Sequence, residues 1–324
     1  MSGPEPNSEY SVKTTIAKKE IEINAMTPAL AVADESPTRY LQQLNLLTMT
    51  RHLSMLLMEA QKHRGTSMAV LEGDSAFEPQ VLHEHSIIQR LIDVLSHLNK
   101  NHCRANLQKK WQDIEKDWQS LIHNWRNDTV IANFEFHSHI IESMVKLIWE
   151  LAGEADYFSL VYEQSAVAAG GDLKSALFYS EKNHELLIQI SLKLIPEMLE
   201  NIAKLRGLAT HASVRGYCDG VTQSHFSYLL QSLNLNKEKL RLVSRSLQHD
   251  ALRAVPSLPS ILLHEHKLDQ LQLMIQNKIM NNEEISVKGL YIFNFATEII
   301  DVYSQIIRDA ITAFQRRLEY ALLK

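Results

Sequence analysis

Ten glycines and eight prolines are few for 324 residues. A fold of many short strands needs turn residues in larger supply, whereas long helices need few. Two cysteines, Cys103 and Cys218, exclude a disulfide framework and are expected to act as small packing residues between helices. No apolar run reaches the length that spans a bilayer, and the opening Met1-Ser2-Gly3-Pro4-Glu5-Pro6 is not a secretory signal, so a cytoplasmic location is expected. Excess positive charge is missing too. A net charge of -5 gives no general attraction to nucleic acid or to an acidic membrane surface, so any anion site has to be a local arrangement of positive groups. What is present, 45% hydrophobic and 22% charged residues, is the balance of a globular chain long enough for two domains.

The pattern along the chain is helical throughout. Residues 1–35 mix Pro, Ser, Glu, Lys and Thr with little periodicity and read as a disordered tail. Ser36-Pro37 has the form of an N-cap followed by proline in the first turn, opening a helix that Gly73-Asp74 stops after Leu71. Glu78-Pro79 opens a second helix. A third carries Trp111, Ile114, Trp118, Leu121 and Ile122 and breaks near Asn127-Asp128, and a fourth runs from Val130 to about Tyr157. The clearest break is Ala168-Ala169-Gly170-Gly171-Asp172. Beyond it the spacing predicts helices over 173–217, kinked at Pro196, then 222–248, 260–280, and from about Glu284 nearly to the C-terminus. No strand pattern emerges. The expected fold is all-α, two antiparallel four-helix bundles over 36–165 and 172–324 that together form one unit.

An internal duplication supports that division. Each half has an Arg-Gly pair inside a helix, Arg64-Gly65 and Arg206-Gly207. Later in each half, Phe134-Glu135-Phe136-His137-Ser138-His139-Ile140-Ile141-Glu142 matches Phe293-Asn294-Phe295-Ala296-Thr297-Glu298-Ile299-Ile300-Asp301 in its Phe, Phe, hydroxyl, Ile, Ile and acid steps.

The arginines stand where charge is least expected. Leu53, Leu57, Ala60, Arg64, Ser67 and Leu71 follow at alternating steps of four and three, as do Ile195, Leu199, Ile202, Arg206, Ala209 and Ser213. That spacing traces the inward face of a helix. A guanidinium keeps its proton in proteins, so burial obliges it to find an anion or several acceptors. Neither arginine has an acid three or four residues away on its own helix, so the partner has to come from elsewhere. Gly65 and Gly207 cost about 1 kcal/mol each relative to Ala, a cost explained by close approach of a neighbour. Thr66, Ser67, Thr210 and Ser213 add nearby hydroxyls. The plain structural alternative is an arginine paired with a carboxylate of another helix.

The run Leu57-Met58-Glu59-Ala60-Gln61-Lys62-His63-Arg64-Gly65-Thr66-Ser67 resembles the first block of the NIT domain, the nitrate- and nitrite-sensing domain of bacterial regulators. The run from Pro196 to Gly207 is similar to a block in that family's second half, and Phe295-Ala296-Thr297 with Ile300-Asp301 to its C-terminal block. The resemblance covers about residues 40 to 315. It implies two four-helix bundles that hold nitrate or nitrite by arginines drawn from separated parts of the chain. Arg64 and Arg206 match the family's arginine blocks, with Thr66 and Ser67 beside the first; Arg215, also followed by glycine, is the reserve position. His63 stands where the family usually has an acid. No output module follows the last helix, so signalling is expected to pass to a separate output protein, a regulator of transcription, antitermination or signalling.

On this reading the protein is a sensor and not an enzyme, needs no cofactor, touches neither membrane nor nucleic acid directly, and is compatible with a homodimer. Two arginines facing one cavity repel when it is empty, and a planar monoanion relieves that repulsion. A diiron enzyme needs two Glu-x-x-His pairs, and only Glu181 to His184 fits. His83/His85, His137/His139 and His264/His266 sit two residues apart on separated helix faces and read as packing or surface residues. The alternative function is a helical interaction module without a small-molecule ligand, for which Met49, Met55, Met58 and Met68 offer a surface. Arg104, Lys109 and Lys110 beside Trp111 are followed at once by acids and read as a solvated face.

Overall fold

The computed structural model describes residues 8–102, 104–156 and 181–322, with most side chains from Tyr40 onward. Its elements are α1 (Ser8–Leu71), α2 (Glu78–His102), α3 (Ala105–Asn124), α4 (Val130–Asp156), α5 (Glu181–Ile188), α6 (Ile195–Arg215), α7 (Gly220–Ser244), α8 (His249–Ala254), α9 (Ser260–Ile275) and α10 (Gly289–Leu322). No strand occurs among the described residues, as the scarcity of turn residues foretold. The chain divides into two compact units, Met1–Leu44 and Asn45–Lys324. The break expected at 168–172 lies outside the described residues.

Local chemistry accounts for most boundaries. Gly73, at φ 105°, takes the left-handed conformation that ends α1 after Leu71. Asp74 then accepts from the Ala76 N–H and caps a short 3₁₀ turn, Ser75–Phe77. Gly216, at φ 84°, closes α6 in the same left-handed way, and Asp219 caps α7 by accepting from the Thr222 N–H. The bend expected at Pro196 takes a specific form. A wider π-type turn, Gln189–Leu194, joins α5 to α6, and the Ile195 N–H reaches back to the Ile190 carbonyl. Pro196 follows this turn directly, and because it has no N–H to return to the preceding turn and its ring crowds that turn, the proline suits the widened geometry. Three boundaries differ from expectation. The first helix starts at Ser8, inside the stretch expected to be a disordered tail, and passes through Ser36-Pro37 without a break; the last starts at Gly289; and the short α8 separates α7 from α9.

Both arginine stripes point inward. Leu53, Leu57 and Ala60 of α1 and Ile195, Leu199, Ile202 and Ala209 of α6 are buried, and so are Arg64, Ser67 and Arg206. The α6 helix is central, packing on α10, α7 and α4. The glycines show why. An added Cβ on Gly207 would lie 3.9 Å from the Gly65 Cα and 3.3 Å from the Met68 Sδ, so α1 and α6 cross backbone to backbone at this pair. An added Cβ on Gly65 would lie 2.9 Å from Cε2 of the Phe293 ring, too close for any residue but glycine without a shift.

Candidate functional site

The α1–α6 crossing places two fully buried guanidiniums close to one another, and they are not equivalent. Arg64 is already neutralised. Its Nη1 donates to Glu200 Oε1 at 2.6 Å and its Nη2 to Glu200 Oε2 at 3.2 Å, a bidentate fork, and Nη1 also donates to the Ser138 hydroxyl at 2.9 Å. Glu200 is buried, and its Oε2 takes a further bond from Gln61 Nε2 at 3.0 Å. The expectation of two unneutralised arginines facing one cavity is therefore corrected. A carboxylate on the neighbouring helix supplies the counter-charge that burial of Arg64 demands.

Arg206 has no such fork. Its Nη1 donates to the Thr297 hydroxyl at 2.8 Å, and that hydroxyl donates to the Phe293 carbonyl at 2.7 Å. Its Nε and Nη2 have no hydrogen-bond partner among the described residues. These two nitrogens form one edge of the planar group, the edge whose N–H bonds run parallel. Gly65 borders that edge: an added Cβ there would sit 3.9 Å from Nε. Burial lowers the guanidinium pKa to about 10, and the nearby positive charge of Arg64 pushes the same way; Glu84 resists the shift. The group remains a cation at neutral pH.

The duplicated segments meet the duplicated arginines. Arg64 lies over the Phe134 ring at 5.3 Å and binds Ser138; Arg206 lies over the Phe293 ring at 4.6 Å and binds Thr297. Phe134 and Phe293 open the two matching segments, and Ser138 and Thr297 are their fifth residues, so each half carries the same ring-and-hydroxyl cradle. The asymmetry is the acid. Glu200 lies six residues before Arg206, and the residue six before Arg64 is Met58.

The remaining predicted residues fall into place around this pair. The Thr66 hydroxyl donates to Glu84 Oε2 at 2.6 Å, and Gln80 Nε2 donates to Oε1 at 3.0 Å. Burial raises the Glu84 carboxyl from 4.5 to about 7, against the pull of the Thr66 bond and of Arg206. The Ser67 hydroxyl is engaged by Asn133 Oδ1 at 2.9 Å. Arg215 is elsewhere: its Nη1 pairs with Asp219 at 2.8 Å and its guanidinium covers Tyr217, at the partly exposed end of α6. The structure does not bring Arg215 to the buried pair.

His63, beside Arg64, belongs to a chain that sequence spacing did not reveal. The His137 Nδ1 lies 2.8 Å from the Asn133 carbonyl and so carries the proton. Its Nε2 then accepts from His63 Nδ1 at 2.9 Å, which leaves the His63 Nε2 as a bare acceptor without a partner among the described residues. Burial pushes His137 down to about 3 and His63 well below its ordinary value, so both rings are neutral. Of the other histidines named from the sequence, His184 packs edge-on against Phe314.

The arrangement defines a class: an all-helical protein with a buried, partly unsatisfied arginine pair at a helix crossing. No protein-family model matches the chain, and no curated protein matches it in sequence. Among solved structures it is similar to the NasR transcription antiterminator, with a TM-score of 0.65 and 12% identity over 93% of this chain and 76% of that one. At that identity the likeness establishes a shared fold. No helix among the described residues is long and apolar enough to cross a membrane.

Proposed function

We propose that this protein is a nitrate- or nitrite-sensing regulator in which Arg206 is the principal anion-binding residue and Arg64 a fixed neighbour. The observation that carries the reading is the buried Nε–Nη2 edge of Arg206, two parallel donors with no acceptor among the described residues. Nitrate and nitrite are small, weakly hydrated anions with two oxygens at a spacing that accepts such a pair of N–H bonds. The Phe293 ring supports the flat face of the guanidinium and leaves its edge free. The blocks that resemble the NIT domain and the fold shared with a transcription antiterminator both favour a regulatory role over a catalytic one. The halves 36–165 and 172–324 act as one sensor unit, each giving one arginine cradle to the crossing. An anion on this edge sits between Arg206 of α6 and the Gly65 turn of α1, so binding changes the packing of α1 on α6, and the altered packing is the signal passed to an output partner.

Titration calorimetry with nitrate, nitrite and chloride tests the proposal. Wild type and Arg215→Ala are expected to bind nitrate or nitrite equally and chloride more weakly, and Arg206→Met to bind none. Arg64→Ala is a poor probe because it strands Glu200. Absence of heat with wild type, or full binding by Arg206→Met, overturns the assignment.

A further inference from the structure

A cavity lies at the junction of α7, α8, α9 and α10. Its volume is about 360 Å³, within the range of small-ligand sites. Leu240, Leu252, Leu258 and Ile261 form its apolar walls. Two hydroxyls on this surface go unanswered. Tyr303 lines the cavity at 1% exposure, and its hydroxyl meets no hydrogen-bond partner among the described residues. The Ser244 hydroxyl is buried there too, again without a partner among the described residues. Buried polar groups are ordinarily paired, so two orphans on one cavity mark the place of a polar head. Water alone answers such a site poorly, because the apolar walls offer it no further bonds.

Charge narrows that head to an anion. Three cations reach the lining: Lys237, Arg241 and Arg245. Lys237 pairs with Asp269, and Arg241 pairs with Glu265 at 2.6 Å and Glu238 at 2.5 Å. Arg245, exposed just past the end of α7, has no carboxylate partner among the described residues. Glu265, the acid of the lining, is already engaged by Arg241, so an ammonium group would find no free counter-charge. Burial, with Glu265 and Asp269 nearby, pushes the Tyr303 phenol above its ordinary value, so it keeps its proton as a donor. Arg241 also acts on that phenol, and Ser244 and Arg245 follow it by three and four residues, one turn along the same helix face. The orphan hydroxyls and the unpaired guanidinium therefore gather at one end of the cavity.

We propose that this cavity is a second ligand site and takes a small apolar carboxylate, whose hydrocarbon body lies against Leu240, Leu252, Leu258 and Ile261 and whose head accepts from the Tyr303 and Ser244 hydroxyls while Arg245 supplies the opposite charge. The apolar body provides most of the affinity, and the head fixes its direction. No residue of the lining belongs to either arginine cradle, so the proposal stands independently of the anion reading.

Titration calorimetry of the full chain with octanoate, octanol and octylamine is the test, since the three share one hydrocarbon chain and differ in the charge of the head. Octanoate is expected to bind tightest, with a Kd below about 1 mM, and octylamine weakest. Arg245→Gln is expected to weaken octanoate about fivefold and leave octanol unchanged, and Tyr303→Phe to weaken both. Leu252→Trp fills the cavity and is expected to abolish binding of both, with melting temperatures confirming that each variant is folded. Absence of heat with octanoate, or octanol or octylamine binding as tightly, overturns the proposal. So does wild-type octanoate affinity in Arg245→Gln, Tyr303→Phe or Leu252→Trp.

Discussion

Glu200→Gln removes one charge and almost no volume, and it leaves Arg64 positive in an apolar interior. The Arg64 and Glu200 side chains are 0% and 6% exposed, so solvent cannot replace the lost counter-charge. Breaking such a pair typically costs about 3–5 kcal/mol. The reverse substitution, Arg64→Met, strands a carboxylate that keeps the Gln61 bond and has Lys204 at 3.7 Å, so its cost falls toward the lower end, about 3 kcal/mol. Arg64→Met with Glu200→Leu removes both charges and refills the volume, and should lie within about 1–2 kcal/mol of wild type. Urea denaturation of the four proteins closes the cycle, with an expected coupling above about 2 kcal/mol. Costs that simply add would mean that the two side chains do not neutralise one another, and the contrast drawn between the two arginines would collapse.

The pH dependence of stability has two opposed sources. The Glu84 pKa is raised on folding from 4.5 to about 7, so the folded protein holds that proton more tightly and loses stability as pH rises through this window. The loss amounts to at most about 3 kcal/mol. Glu84→Gln should match wild type below about pH 4.5 and exceed it above pH 7, as read from denaturant midpoints across pH; a constant difference would refute the assignment. His63 and His137 act the other way: their folded pKa values are depressed, so their contribution is complete above the ordinary value of 6.5 and is lost as pH falls toward about 3. Gly65→Ala forces the Phe293 ring off Arg206 and should cost about 1–3 kcal/mol together with nitrate binding. Gly153→Ala, in open space on α4, is the control and should be neutral or stabilising by up to about 1 kcal/mol. Equal melting temperatures for the two variants would refute the close-crossing argument.

Helical spacing sufficed to place Arg64 and Arg206 inside, because period and burial are linked along a single element. The match between the two Phe-led segments carried more than it first suggested, since it named the ring and the hydroxyl that each arginine meets. Glu200 and Glu84 were harder. Both act across helices, and no local spacing reports which helix crosses which. A hint existed at Glu200, which stands on the same side of α6 as Ala203 and Gly207, the small-residue line that invites close approach. The His63–His137 bond joins residues 74 apart and left no comparable trace. The π-type turn before Pro196 was visible only as a proline, which marks a disturbance without giving its shape.

The acid six residues before Arg206 has no counterpart before Arg64, and that single inequality divides labour between two otherwise matching halves. One half becomes a strut, its charge permanently answered; the other keeps an open hand. Transplanting the acid, with Met58→Glu and Glu200→Met together, would exchange strut for hand and shift the responsive guanidinium from one end of the repeat to the other.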